Sequence, residues 1–462
     1  MINIPLLKLN KIPILLALTS VAFYISFGYD LVRTDYIKLI TLYSSLFFLF
    51  YKLVQIKKGN FFFLVVLSFL FRFLFLFSIP NLSQDFYRFI WDGRMFLEGY
   101  NPYLYTPESF ILNHQFPVAQ AQELYNGMGV LNGSHFTNYT PLNQLFFITA
   151  GWIAGKSILG SVIIMRLCII AADFGTLYFG KKLLEKLNIP IHNIFWYLLN
   201  PFIIIELTGN LHFEGVMIFF LIWSLYLLHI GKCKVAAIVF ACSVSIKLIP
   251  LIFLPLVFQY FFKKEDGIKT LVDWNAFKKL IGFYAIVVGL SLLSFFPFYD
   301  SELINNYTNT VKLWFQRFEF NASLYYIARE IGYTFRGYNE IAFIGKIIPI
   351  IVICFLLVIA FFRKNKSMIE LITAMLLVLS FYFFTATTVH PWYLATLLIL
   401  SIFTKYKYPL VWSYVIILSY LAYITTDNKE NLWVIATEYL IVYGLLIWEI
   451  ANKKGHLKSS PI

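Results

Sequence analysis

Between Ser83 and Tyr105 the chain reads SQDFYRFIWDGRMFLEGYNPYLY, which places Asp85, Arg88, Asp92, Arg94 and Glu98 directly behind an apolar run, Phe61–Ser78, whose only charge is Arg72. A carboxylate in such a place can take a proton from a hydroxyl, and a cation beside it can hold a developing or departing anion. Asp85, Arg88 and Asp92 fall on one helical face, a spacing that equally suits an amphipathic helix lying at the water boundary with its charges paired. Gly99, Asn101 and Pro102 stop that helix sharply and turn Tyr103 and Tyr105 back over the same surface, as the rim of a pocket. Other polar groups stand isolated at the ends of apolar runs: His212 with Glu214, Lys247, Arg317 with Glu319, and His390. Each has a plainer reading beside the chemical one. Lys247 can snorkel to headgroups, His212 and Glu214 can start a helix, Arg317 can pair with Glu319, and His390-Pro391-Trp392 can cap a boundary beside an aromatic belt.

The elements that must position these groups follow from composition. The chain has 462 residues, of which 60% are hydrophobic and 13% charged, with 50 Phe and 31 Tyr. Its mean hydropathy of +0.74 is more than a soluble core can hide, so the chain is an all-α integral membrane protein in contact with a lipid bilayer. A net charge of +13 invites a nucleic-acid reading, but the lysines sit in short clusters between apolar runs and act as topology signals, so no nucleic acid is expected. Cys168, Cys233, Cys242 and Cys354 are scattered, without a CxxC pair or His partners at ligand spacing, and imply neither disulfides nor a metal site. Lys8 and Lys11 precede a long apolar stretch without a small-residue cleavage site, which is expected to stay as the first span.

In chain order, apolar runs near 12–30, 36–54, 61–79, 141–155, 160–180, 191–207, 213–230, 235–261, 280–297, 341–362, 367–384, 391–404, 408–425 and 432–450 predict one polytopic domain, 1–462, of about 12–14 transmembrane helices. The basic clusters Lys52, Lys57 and Lys58, then Lys181, Lys182 and Lys186, Lys232 and Lys234, Lys263, Lys264 and Lys269, Arg363, Lys364 and Lys366, Lys405 and Lys407, and Lys453, Lys454 and Lys458 set the cytoplasmic side. Two full crossings between residues 141 and 180 would leave Lys181 on the wrong side, so one of those runs must be short, tilted or re-entrant. The 235–261 run lies between two basic clusters and is broken by Lys247 and Pro250, which predicts two short helices meeting there. Residues 80–140 then form a first large outer loop with short interfacial helices, and 298–340 a second. Arg166 and Asp173, seven apart on one helix, are expected as buried structural polar residues.

This topology gathers Asp85, Asp92, Arg94, His212, Glu214, Lys247, Arg317 and His390 at the outer boundary. A charge near the centre of a span costs roughly 2.5 to 3.5 kcal/mol, so Lys247 asks for a partner or an anion. A lipid-facing pocket with one or two carboxylates and several cations is what group transfer from a lipid-phosphate donor requires. The carboxylate takes the acceptor hydroxyl's proton and the cations neutralise the leaving phosphate, with no metal needed.

The segment Ser83-Gln84-Asp85-Phe86-Tyr87-Arg88-Phe89-Ile90-Trp91-Asp92-Gly93-Arg94, followed by Gly99-Tyr100-Asn101-Pro102-Tyr103, resembles the S-D-D-x-Y-R-Y-x-W-D-G-R and G-x-N-P-Y pattern of GT-C membrane glycosyltransferases that use a polyprenyl-phosphate sugar. The likeness is to the bacterial mannosyltransferase-like, glycosyltransferase family 87-like branch. Tyr139-Thr140-Pro141-Leu142, Asn200-Pro201, His212-Phe213-Glu214, Lys247-Leu248-Ile249-Pro250, Asn321 and Pro391-Trp392-Tyr393 resemble further signposts of that family in the same order. The resemblance implies a GT-C-like helical bundle in the bacterial inner membrane and inverting transfer on the non-cytoplasmic face. It implies a polyprenyl-phosphate hexose, mannose by preference, as donor, and a glycolipid or glycan acceptor. Asp85 is then the catalytic base; Lys247, His390 and Arg317 are the donor-phosphate contacts; Asp92, Arg94, Tyr103, His212 and Glu214 form the acceptor and sugar side; no cofactor and no metal is implied. Gln84 departs from the family's D-D pair and leaves Asp85 as the lone base, with Asp92 either assisting or pairing with Arg88. Glu214 stands where the family often has the Asp of H-x-D. A transporter or flippase of a lipid-linked sugar, or an oligosaccharide polymerase or ligase with a lipid-diphosphate donor, would use a similar pocket, although 235–261 has no obvious mate elsewhere in the chain as a transporter repeat would.

Overall fold

A helix satisfies its own backbone hydrogen bonds, so a chain this apolar is bound to answer the bilayer with helices. The computed structural model describes residues 11–262, 273–424 and 429–458, and among these only one isolated bridge, Phe320 with Thr388, interrupts an all-helical architecture. Among the described residues seven helices are long and apolar enough to cross a membrane: Lys11–Tyr29, Tyr36–Lys57, Ile158–Lys186, Trp274–Phe298, Ile341–Phe362, Met368–Thr385 and Leu432–Asn452. An eighth candidate, Pro201–Gly209 with Glu214–His229, is bent by 114° at its break. Lys8 and the cluster Lys263, Lys264 and Lys269 lie outside the described residues, as do the side chains of Lys453, Lys454 and Lys458.

Among the described residues the full-length spans number seven, or eight with the bent pair, against an expectation of about 12–14 helices, because helix breakers divide several of the apolar runs. Phe61–Phe73, Cys233–Ile246, Ile249–Phe261, Pro391–Ser401 and Tyr408–Ile424 are apolar but short. The 235–261 run parts as its prolines dictate: helix to Ile246, an extended Lys247 at φ −148° and ψ 141°, then a 3-10 stretch with Pro250 near its start and Pro255 inside. Of the two runs between 141 and 180, the short one is Pro141–Ala154, whose 14 residues reach about 21 Å against a hydrocarbon core of about 30 Å. It packs instead on the helix that begins at Asp85. There Gly93 is required, since a Cβ on it would stand 2.2 Å from the Phe147 carbonyl oxygen.

Two buried arginines inside the apolar layer have partners in place. Arg72 Nε meets Asp173 Oδ2 at 2.6 Å with both side chains fully buried, and Arg72 also donates to the Ser68 and Leu198 carbonyls. Arg166 donates to four carbonyls, those of Leu76, Ser78, Thr208 and Gly209, at 2.8 to 3.0 Å. It ties the turn after Phe61–Phe73 to the wide π-helical turn Ile204–Gly209. The segment 80–140 carries three short helices, Asp85–Leu97, Pro107–Leu112 and Ala121–Ser134, and the segment 298–340 carries Leu303–Gln316 and Leu324–Arg336.

Candidate active site

Asp85 opens its helix as the sequence requires of an acidic residue at a positively polarised N-terminus. Its surroundings are built by four neighbours. The Asp85 amide donates to Ser83 Oγ at 3.3 Å, and Asn132 Nδ2 donates to Asp85 Oδ1 at 3.1 Å. Gln84 donates from Nε2 to the Met128 carbonyl at 2.9 Å, holding the kink in Ala121–Ser134 where Gly129 takes φ 74°. An aspartate at 84 has no donor for that bond. Arg88 donates to the Asn132 and His135 carbonyls at 2.5 and 3.0 Å, and its Nε meets Asp92 Oδ1 at 2.7 Å. Asp92, also accepting from Gln144 Nε2 at 3.2 Å, therefore orients Arg88, and Arg88 fixes the chain that presents Asn132 to Asp85.

Asp85 faces a cavity of about 1280 Å³ whose wall includes Arg33, Arg88, Glu214, Lys247 and His390. Lys247 Nζ lies 2.6 Å from Glu214 Oε1, the partner that the cost of burying a lysine asks for. Glu214 starts its helix straight after the 114° bend, at which Leu211 takes φ 62°. Burial pushes the Asp85 carboxyl above the ordinary aspartate range; the Lys247 charge, the Asn132 hydrogen bond and Arg33 act against it, while Glu214 adds to it. His390 stacks on Trp392 at 4.6 Å and on Phe320 at 5.2 Å. Burial, with Lys247 adding to it, lowers His390 to about 3, so the ring is neutral near pH 7. The loop before it is held by Phe320 N donating to the Thr387 carbonyl and Val389 N to the Phe320 carbonyl, at 3.1 and 2.8 Å.

Part of the lining is apolar. Pro349, Val352, Ile353 and Leu356 of Ile341–Phe362 line the same cavity as Leu251 and Ile252 of the broken 249–261 stretch. One cavity thus offers both charged and apolar lining, the combination a lipid with a polar head requires.

The expected site residues divide accordingly. Asp85, Glu214, Lys247 and His390 share the cavity wall. His212 is buried behind it, its ring 3.7 Å from that of Trp392 and its Nε2 3.9 Å from Glu206 Oε2. Arg94 is buried with its guanidinium on the Ala119 carbonyl at 2.8 Å, and Tyr103 donates to the Tyr139 carbonyl at 2.6 Å. Neither of these, nor Asp92, is part of the wall. Arg317 is exposed and stands outside it; Glu319 pairs not with Arg317 but with Arg329, at 2.9 Å, and both of that pair line the cavity. Sequence reasoning missed Arg33, Asn132, Arg329 and Glu430. Glu430 accepts from the Asn321 amide at 2.6 Å and from the Tyr326 hydroxyl, a pairing across about a hundred residues that no local spacing displays. Among the described residues no cluster of three or more His, Cys, Asp or Glu side chains is placed to hold a metal ion.

Residues 47–263 match the sequence model of the MptA_B family, described as alpha-(1->6)-mannopyranosyltransferase, N-terminal domain. No curated protein and no solved structure matched the chain. The matched region, a little under half of the chain, holds Asp85, Glu214 and Lys247, and it sits within an all-helical chain of candidate membrane spans. That match and that architecture support a glycosyltransferase with membrane-spanning helices, similar over residues 47–263 to the alpha-mannosyltransferases of that family.

Proposed function

We propose that the protein moves mannose from a polyprenyl phosphate to a hydroxyl of a glycolipid or surface glycan, on the non-cytoplasmic face of a bacterial inner membrane. The observation that carries this reading is Asp85 in the wall of a cavity whose lining combines charged side chains with apolar ones. Asp85 accepts the proton of the acceptor hydroxyl as that oxygen attacks the anomeric carbon. The bond from that carbon to the phosphate oxygen breaks, and its electron pair leaves with the polyprenyl phosphate, giving inversion. Lys247 and His390 meet the phosphate, while Arg317 is exposed and not part of the cavity wall; the prenyl chain lies along Val352, Ile353 and Leu356. Glu214 balances Lys247 between turnovers and faces the sugar. His212 supports the sugar side through Trp392, and Asp92, Arg94 and Tyr103 hold that side's framework. The segments 80–140 and 298–340 are the two outer loops. The matched family's description names an alpha-(1->6) linkage, which we take as the linkage made.

The test is Asp85→Asn in membranes supplied with labelled polyprenyl-phosphate mannose. The expected result is a loss of transfer of about 10²- to 10⁴-fold, the usual range for removing a general base. Ordinary transfer by the folded, inserted variant would overturn the assignment.

A further inference from the structure

The cations that line the cavity are not equivalent. Lys247 has Glu214 at 2.6 Å, Arg88 has Asp92 at 2.7 Å and Arg329 has Glu319 at 2.9 Å. Arg33, in the turn between Lys11–Tyr29 and Tyr36–Lys57, lines the same cavity, and no ion pair to a carboxylate is formed by it among the described residues; the same holds of Lys429, which also lines the cavity but is exposed, whereas Arg33 is half-buried. Its guanidinium carbon sits 4.1 Å over the Tyr423 ring, and Nη1 donates to the Leu82 carbonyl at 3.2 Å. Stacking occupies the flat face of a guanidinium and leaves its remaining N–H edge for an anion.

Arg33 is also braced to the catalytic segment. Asn81 donates to the Phe27 and Leu31 carbonyls at 2.7 and 3.1 Å, and the Leu82 amide donates to Asn210 Oδ1 at 3.0 Å. The turn that carries Arg33 and the chain that leads into Asp85 are therefore one fixed piece. Arg33 is half-buried, so its charge is not lost to bulk water, and it contributes to the electrostatics of Asp85. A phosphate entering this cavity would have to compete with Glu214 for Lys247, whereas at Arg33 no carboxylate has to be displaced.

We infer that Arg33, stacked on Tyr423 and facing the same cavity as Asp85, is the principal anchor of the donor's phosphate, ahead of Lys247. This inference rests on the donor reading above, and its test separates the two. Purified protein is titrated with undecaprenyl phosphate and with undecaprenol, which share a chain and differ only at the head. Wild-type protein is expected to bind the phosphate at least tenfold more tightly. Arg33→Gln is expected to lose at least tenfold of that preference while its undecaprenol affinity stays unchanged, and Arg33→Lys to keep part of it. If wild-type protein shows no preference for the phosphate, the donor reading fails, and the anchor with it. If wild-type protein shows the preference and Arg33→Gln retains it, or if the variant loses both lipids equally, the anchor assignment fails and the donor reading stands.

Discussion

At the scale of single residues, the behaviour of Asp85 follows from opposed influences. Burial raises its carboxyl and Lys247 pulls it down, so the basic form is populated only once the pH exceeds a value above that of an exposed aspartate. Transfer at low substrate should therefore fall on the acid side with a midpoint above the ordinary aspartate range. Lys247→Met should move that midpoint further up, because the influence removed is one that favours the charged form. Asn132→Leu should move it in the same direction, since Asn132 donates to the charged carboxylate. A pH profile of kcat/KM for the three proteins checks the order, and a midpoint that stays put in both variants would show that another group titrates.

At the scale of elements, the site depends on a close crossing. The Asp85–Leu97 helix lies so near Pro141–Ala154 that the missing side chain of Gly93 is part of the fit. Gly93→Ala would put a methyl carbon 2.2 Å from a backbone carbonyl oxygen that no rotamer change can move. A loss of about 1 to 3 kcal/mol in stability is expected, read as a lowered melting temperature in detergent; an unchanged melt would contradict the packing described. Breaking the buried pair by Arg72→Met should cost more, about 3 to 5 kcal/mol, because Asp173 is left charged and alone. What the sequence displays at this scale is whatever depends on neighbours in the chain. The Arg88 to Asp92 pairing shows as a four-residue spacing, and the break at Lys247 shows as a proline three residues on. Arg33 on Leu82 and Glu319 on Arg329 show nothing of the kind, because these partners are chosen by how helices and turns pack. The same holds for Arg94 and Tyr103: their types and positions suited a pocket rim, and tertiary packing turned them onto backbone carbonyls instead.

At the scale of the whole molecule, the helical membrane architecture is legible from composition, while the number of full spans is not. Hydropathy counts apolar residues and is blind to the point at which Pro250 or the wide turn at Ile204–Gly209 ends a helix. The break at Lys247 supplies part of the cavity wall, through Ile246, Lys247, Leu248 and Ile249, since a broken helix leaves backbone and polar ends where an unbroken span would leave a greasy cylinder. The apolar wall makes a prediction about the donor as a whole. Val352→Gln together with Leu356→Gln should raise KM for a long-chain prenyl donor by at least tenfold and leave a short-chain donor within about twofold, given roughly 0.8 kcal/mol for each buried methylene. Equal effects on both donors would place the lipid elsewhere.

The most direct measurement follows both products of one turnover in proteoliposomes that contain purified protein, labelled polyprenyl-phosphate mannose and an acceptor glycolipid. Wild-type protein should release one polyprenyl phosphate for each mannose transferred, and Asp85→Asn should bind the donor with unchanged affinity while releasing almost none. Full-rate release by Asp85→Asn, or mannosyl lipid that crosses the bilayer intact without any release, would contradict the account.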